Sequence, residues 1–401
     1  MARLDVGRIR SHFPALDAGV AHFDGPGGSQ VPLVVAQAVA DAMTSGMCQR
    51  GTLTATERRT DSVTLAARQA IADLVGGDPG GVVFGRSMTQ LTMDLARTLA
   101  QGWGPGDEVV VTRLDHDSDI RPWVIAAERA GATVRWLGFD TVTTELDDVT
   151  PLLSERTRVV ALTGASNLFG TRPDVAAVAA AAHAVGALVF VDAVHLTPHA
   201  PIDLASLGAD VLVCSPYKFF GPHLGALVAS PTLLEGLRPD KLLPSSDAVP
   251  ERFELGTLPY ELLAGVTAAV DFIAELLPSS QPGGSRRERV LTSMAALEAH
   301  EHVLLRHLLD GLAGIEAVTV HGRPARRTPT VLFTVAGHSA RAVHEHLGAL
   351  SVNAPASHFY ALEASRHAGL GDGGGVRVGL AAYTTQDEVD RLLDGVRALL
   401  G

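Results

Sequence analysis

Six short, continuously apolar runs recur between residues 82 and 215: VVF at 82–84, EVVVT at 108–112, TVRWL at 133–137, RVVALTG at 158–164, ALVFVDA at 187–193 and DVLVCS at 210–215. Alanine- and leucine-rich stretches with helical patterning separate them. A strand that lacks polar alternation is covered on both faces, and strands separated by helices are joined by crossovers. The pattern therefore predicts an α/β protein with a mainly parallel sheet sheathed by helices. Residues 175–194, VAAVAAAAHAVGALVFVDAV, could pass for a membrane span on hydropathy alone. Gly186 interrupts that stretch and LVFVD ends it on a charge, so helix, turn and buried strand are expected and no membrane partner.

Composition narrows the function classes. The chain has 401 residues, a hydrophobic fraction of 46% and a formal net charge of −12. That much apolar material fills a core and excludes wholesale disorder, and the length suggests two or three domains. An acidic balance without a Lys/Arg run argues against nucleic acid as a partner. The only cysteines are Cys48 and Cys214, which excludes a disulfide framework and a Cys-rich zinc site, and no metal is expected. A reducing, cytoplasmic setting fits, and the N-terminal stretch has no apolar segment of signal-peptide length.

After Leu277 the segment PSSQPGGSRRER reads as a linker or exposed loop. Beyond it come a long helical stretch from about Val290 to Leu312, the runs VTVHG, TVLFTVAG and VRVGLAAY, a helix near His338–Leu350 and a closing helix at Gln386–Leu400. These elements describe a smaller α+β domain.

In open parallel sheets, ligands bind beyond the carboxyl ends of the strands. Those ends carry Asp192, Ser215 with Lys218, Asn167, His116 and the Gly85–Thr89 turn. Lys218 follows an apolar strand and precedes a Gly-Pro turn. An amine partly desolvated there has a lowered pKa and can form a Schiff base with an aldehyde, although a lone lysine is ordinarily a surface residue. Asp192 ends a strand either as a cap, as the ribose-binding acid of a dinucleotide fold, or as a carboxylate that keeps a pyridine nitrogen protonated.

Taken in order, FGRSMTQLT, LDHDSDIRPW, GASNLFGT, VFVDAVHLTPHAPIDLASLGADVLVCSPYKFFGPHLG, RFELGTLP and VRVGLAAYTTQDEVDRLL resemble the class V aminotransferase family. This family of fold-type I pyridoxal-phosphate enzymes includes cysteine desulfurases, selenocysteine lyase and isopenicillin epimerase-like proteins. The resemblance runs from about Phe23 to the C-terminus. It implies a large domain at 23–276 with a mainly parallel seven-stranded sheet, a small domain at 277–401, and an N-terminal segment, 1–22, packing on the small domain. It also implies pyridoxal 5'-phosphate as cofactor and a homodimer with shared active sites.

Carried over residue by residue, the resemblance makes Lys218 the Schiff-base lysine and Asp192 the acid facing the pyridine nitrogen. His116 is the histidine that stacks on the ring and relays protons, and Asn167 and His195 are partners of the ring's phenolic oxygen. Ser87, Met88 and Thr89 supply a helix N-terminus for the phosphate, with Ser215 adding a hydroxyl and Thr257 reaching the neighbouring subunit's phosphate. Arg377 clamps the substrate carboxylate, Arg50 lies near the dimer seam, and the glycine-rich segment 23–32 approaches the substrate. His199, in a Pro-His pair, has a structural role as an alternative.

Two departures matter. A desulfurase needs a mobile cysteine thiolate, but the corresponding stretch reads VNAPASHFYAL at 352–362. Tyr217 replaces the histidine common beside the lysine. His358 and Tyr360 in the altered loop are candidates to meet the substrate side chain. The expected function is a carbon-sulfur β-lyase acting on S-substituted L-cysteine to give thiol, pyruvate and ammonia, with transamination, epimerisation and decarboxylating deamination as alternatives. A nicotinamide-dependent oxidoreductase would need G-x-G-x-x-G after the first strand, where GRSMTQ stands instead. An idle binding module would have lost Lys218 or Asp192.

Overall fold

The computed structural model describes residues 4–278 and 284–401. A short strand, β1 (Ala21–His22), precedes seven strands: β2 (Val82–Gly85), β3 (Glu108–Thr112), β4 (Thr133–Leu137), β5 (Thr157–Thr163), β6 (Leu188–Asp192), β7 (Val211–Cys214) and β8 (Gly225–Ala229). Five more follow: β9 (Val318–His321), β10 (Thr330–Val335), β11 (Val352–Asn353), β12 (Ala356–Ser357) and β13 (Gly375–Gly379).

Strands β2 to β8 form one sheet in the order β2-β8-β7-β6-β5-β3-β4. Strands β3 to β7 pair parallel, whereas β8 runs antiparallel to both β2 and β7. Six of these strands coincide with the apolar runs read from the sequence; β8, GALVA, is the one those runs omit. Its direction has a simple cause. Only residues 215–224 join β7 to β8, too few for the crossover that a parallel neighbour requires. The chain must turn back, and the turn carries Lys218.

Side chains alternate between the faces, as strand geometry demands. Phe84, Val110, Val160, Val189, Val191 and Leu212 pack against the helices Ala55–Val75, Val175–Ala184 and Tyr260–Ala274. Val83, Val109, Val111, Val159, Phe190 and Val213 pack against the helices Met88–Ala100 and Arg121–Ala130. The stretch at 175–194 is helix, then Gly186 at φ +80°, then β6. Among the described residues no helix is long and apolar enough to cross a membrane.

A second, antiparallel sheet has the order β12-β13-β10-β9. Phe333, Val376 and Val378 pack there against Val343 and Leu347 of the helix Ala340–Ala349 and Val389, Leu392 and Val396 of the helix Gln386–Ala398. The N-terminal segment touches both bodies: Ile9, Phe13 and Leu16 join the core under the large sheet, while β1 pairs parallel with β11. The expected linker at 278–289 falls in part on residues 279–283, which lie outside the described set, while 286–289 form the first turn of a helix capped by Ser285. The helix Arg286–Ala313 has 28 residues, about 42 Å at 1.5 Å per residue. Val290, Met294 and Leu297 enter the large-sheet core, and Leu304, Leu308 and Leu312 enter the smaller one.

Strand β8 also fixes the start of the helix Met88–Ala100. A Cβ at Gly225 would stand 2.2 Å from the Met88 nitrogen and from the Ser87 carbonyl carbon, so backbone would have to move. Gly225→Ala is expected to cost ~1–3 kcal/mol, as overpacking does. Urea unfolding of the apoprotein measures this; an unchanged midpoint would show that the helix start yields freely.

Candidate active site

The large sheet reverses its winding between β3 and β5, the place where open sheets bind ligands. A cavity of about 1010 Å³ opens there. It lies beyond the carboxyl ends of β2, β3, β5, β6 and β7 and is closed from the other side by β13 and the turn after β12. Ser87, Met88, Thr89, His116, Asn167, Asp192, His195, Ser215, Lys218, His358, Tyr360 and Arg377 all line it. Pro26 and Gly27 of the glycine-rich segment line it as well. A Cβ at Gly27 would meet the Asp24 carbonyl oxygen at 3.1 Å, which keeps this segment bare. Arg50 and Thr257 lie outside the cavity of the single chain. Arg50 is engaged by Asp61 at 2.8 Å and Glu251 at 2.6 Å, and Thr257 is exposed.

The Lys218 amine donates to the Pro26 carbonyl and sits 5.0 Å from the centre of the Tyr217 ring. Burial, reinforced by the Arg377 charge and opposed by Asp192, lowers its pKa to about 7. Near neutrality it can hold or release a proton. Arg377 is buried, and its guanidinium carbon lies 3.7 Å from the centre of the Phe359 ring. Its Nη1 donates to the Asn167 carbonyl at 3.0 Å, and its Nε is sealed without a partner among the described residues. Burial lowers this group to about 9, with Asp24 opposing. A buried guanidinium without a carboxylate in contact is a strong anion receptor.

Asp192 ends β6. Burial raises its carboxyl to about 6, against the Val194 N–H donated at 2.9 Å and the Lys218 charge. His116 is lowered to about 4 by burial and by the Lys218 and Arg377 charges. Its Nδ1 accepts the Ser118 N–H at 3.1 Å, which places the neutral ring's proton on Nε2. His195 is held neutral by burial, with Nε2 beside the Thr330 hydroxyl at 2.9 Å and Nδ1 without a partner among the described residues. Asn167 donates from Nδ2 to the Phe359 carbonyl at 2.9 Å, leaving a second amide proton and an Oδ1 without a partner among the described residues. Ser87 caps the helix Met88–Ala100 by accepting the Gln90 N–H at 3.1 Å, and Ser215 faces the same cavity from the end of β7.

Other contributors escaped the sequence reading. Asp115 and Asp119 are fully buried and pushed well above the carboxylate range by desolvation, by the Asp192 charge and, for Asp119, by Asp115. Asp115 contacts the Thr112 hydroxyl at 2.5 Å and Asp119 accepts from Trp123 Nε1 at 3.1 Å. Phe359 and Tyr360 take left-handed φ of 52° and 60°, rare without glycine. The strained turn is held by the Asn167 amide, by the Asp117 N–H donated to the Tyr360 carbonyl at 2.8 Å, and by stacking of Tyr360 on His116 at 5.5 Å. One signal was available and unused: the chain has only two lysines, Lys218 and Lys241, so Lys218 stands out by rarity.

The donor set fits a phosphorylated pyridine aldehyde. A helix N-terminus with two hydroxyls suits the phosphate, a buried acid suits the ring nitrogen, His195 Nδ1 and the second Nδ2 proton of Asn167 suit the phenolic oxygen, and a near-neutral amine suits the aldehyde. Comparison with known proteins agrees. An uncharacterised protein of Mycobacterium tuberculosis (strain CDC 1551 / Oshkosh) is 36% identical over 98% of this chain and 99% of its own length. An aminotransferase-like protein of Gibberella zeae is 31% identical over 98% of each, and a cysteine desulfurase of Klebsiella pneumoniae is 29% identical over 99% of each. The crystal structure of the cysteine desulfurase CsdA from Escherichia coli superposes with a TM-score of 0.86 at 24% identity, covering 100% of this chain and 99% of that one. The aminotransferase class-V model matches residues 21–392, so the chain belongs to the class V aminotransferase family, the pyridoxal-phosphate enzymes of fold-type I.

Proposed function

We propose that this enzyme is a carbon-sulfur β-lyase that takes S-substituted L-cysteine and releases a thiol, pyruvate and ammonia. The observation that carries this reading is the absence of a usable thiol at the cavity. Ser357, His358, Phe359 and Tyr360 line it where a desulfurase would present cysteine. Cys214 is buried in β7 with its thiol pushed up to about 12 by desolvation and by Asp192. Cys48 is exposed and outside the cavity, its N–H donating to the Thr60 hydroxyl at 3.2 Å. In this reading, with no thiol to lift sulfur from the substrate, sulfur leaves from the β-carbon as a thiolate.

When bound, pyridoxal phosphate supplies an aldehyde for the substrate amine and a ring that withdraws electrons from Cα. In this reading Arg377 takes the substrate carboxylate and fixes the Cα–H bond relative to Lys218. The Lys218 amine removes the α-proton as general base, and the sulfur departs from Cβ with its bonding pair. Asp192 would hold the ring nitrogen protonated, and neutral His116, which lines the same cavity, carries an Nε2 proton to give. His358 and Tyr360 face the sulfur substituent. The functional unit in this reading is a cytoplasmic homodimer, in which Thr257 and Arg50 serve the neighbouring subunit's site. Exposed Leu53 and Leu255, at 86% and 51%, lie beside them in the sequence, as interface residues would.

Holoenzyme incubated with S-alkyl cysteines is expected to form pyruvate and free thiol in equal amounts. Accumulation of the pyridoxamine form without thiol overturns the elimination reading. Arg377→Lys should lower kcat/KM by about 10- to 100-fold, the ~1.5–3 kcal/mol of a charge-assisted hydrogen bond, while borohydride still traps pyridoxal phosphate on Lys218. An Arg377→Lys enzyme with unchanged kcat/KM would remove the carboxylate assignment.

Lys218 also makes apoprotein stability depend on pH. Its folded pKa, about 7, lies below its ordinary value of 10.5, so the unfolded chain binds the extra proton between those limits and this contribution grows as pH rises through them. Apoprotein Lys218→Met should therefore be more stable than wild type at pH 7, with the gap shrinking towards pH 10. Urea midpoints at several pH values test this, and a gap independent of pH would mean that the amine is not desolvated.

A further inference from the structure

Two helices start at the large cavity, Met88–Ala100 and Arg121–Ala130, and a second cavity of about 270 Å³ lies between them. Met93 and Pro122 line both spaces. The sequence explains why the second one is open. Met93, Arg97 and Ala100 fall at i, i+4 and i+7, one face of the first helix, and Pro122, Ile125, Ala126 and Ala130 fall at i, i+3, i+4 and i+8, one face of the second. Both stripes line the same space. Three of their members are alanines, too short to close the gap between packed helices. Leu91, Leu95 and Trp123 are turned to the sheet core and do not fill it.

The result is a trough that leads away from the catalytic cavity along both helices. From Met93 to Ala100 it runs seven residues, about 10 Å at 1.5 Å per residue. Met93 stands at the junction, 37% exposed, with a flexible unbranched side chain that can turn aside. Arg97, Gln101 and Arg129 give the far end a polar rim. Nothing in the proposed reaction uses this space.

We infer that the trough receives the sulfur substituent, so that the substrate is an S-substituted L-cysteine whose substituent is a long apolar chain. The inference rests on the reading of the enzyme as one acting on S-substituted cysteine, and it names the substituent. The carboxylate stays on Arg377 while the chain passes Met93 and Pro122 and gives up its apolar surface to Ile125 and the alanines. Each methylene taken out of water adds to binding, whereas a methyl substituent leaves the trough to solvent. The other occupant to weigh is a second copy of the chain. Its offering would be Leu243, 96% exposed on the loop that follows Asp240. The rim holds little charge to draw that acidic loop, because Arg97 is already engaged by Asp94 at 2.9 Å and by Asp240 of its own chain at 3.1 Å. Continuity with the catalytic cavity through two shared side chains favours the substrate.

The test uses full-length apoprotein, so neither cofactor nor turnover enters it. Isothermal titration calorimetry with S-methyl-, S-butyl- and S-octyl-L-cysteine gives a Kd for each. Binding is expected to tighten by up to about fourfold per methylene taken into the trough, and S-octyl-L-cysteine to bind at least about tenfold tighter than S-butyl-L-cysteine. Ile125→Glu sets a charge on the trough wall and Ala130→Trp fills its far end. Both positions are partly exposed and outside the catalytic cavity, so one serves should the other fail to fold. Each should bring the octyl-to-butyl ratio towards one, with its own Kd for S-methyl-L-cysteine as reference. A wild-type series with no gain beyond butyl overturns the inference, and a gain that then appears in Leu243→Ser assigns the trough to a second copy. A ratio that neither variant moves overturns it as well. Failure of holoenzyme to release thiol from any member of the series would instead overturn the β-lyase reading, and the calorimetric result stands apart from that outcome.

Discussion

Keeping an amine out of water near two other charges is the constraint around which this molecule is arranged. An ammonium in an apolar interior is costly, and Lys218 sits where burial and Arg377 both work against its charge while Asp192 only partly compensates. Position follows from topology. Because the chain between β7 and β8 is too short to cross over, it folds back at the carboxyl edge of the sheet and delivers the lysine to the point where β5, β6 and β7 end. The same reversal lays β8 against the first turn of the helix Met88–Ala100, so one short connection locates both the amine and the anion-binding helix end.

Charge in the cavity is divided by depth. Asp115 and Asp119 lie beneath Asp192, pushed towards their protonated forms, and so add little negative field of their own. Above them His116 and His195 are kept neutral by burial and by the two cations. The cavity is lined by the carboxyls of Asp117 and Asp192 and by the cationic groups of Arg121, Lys218 and Arg377, a mixed field suited to a zwitterionic substrate that brings its own carboxylate.

The architecture was legible because buried strands write themselves as unbroken apolar runs, and the polar residues at their ends are few. Lys218, Asp192, His116 and Asn167 all terminate such runs. Strand β8 was harder: GALVA is alanine- and glycine-rich and follows a loop dense in turn residues, so it carries little β-branched signal. Asp115 and Asp119 carry no signal of their own, since sequence does not distinguish a buried carboxyl from an exposed one. The His199–Glu301 contact spans 102 positions and the left-handed turn at Phe359 and Tyr360 depends on Asn167, 192 residues away. Interactions of that range exist only after folding.

The helix Arg286–Ala313 roots in both hydrophobic cores without a break in its hydrogen-bonded spine. A continuous rod of this kind resists a hinge, so any swing of the small sheet towards the large one has to bend some eight turns of backbone. Opening between the two sheets is therefore opposed by the stiffness of one unbroken rod, and the wall that β13 and the turn after β12 give the cavity is moored to the large sheet through it.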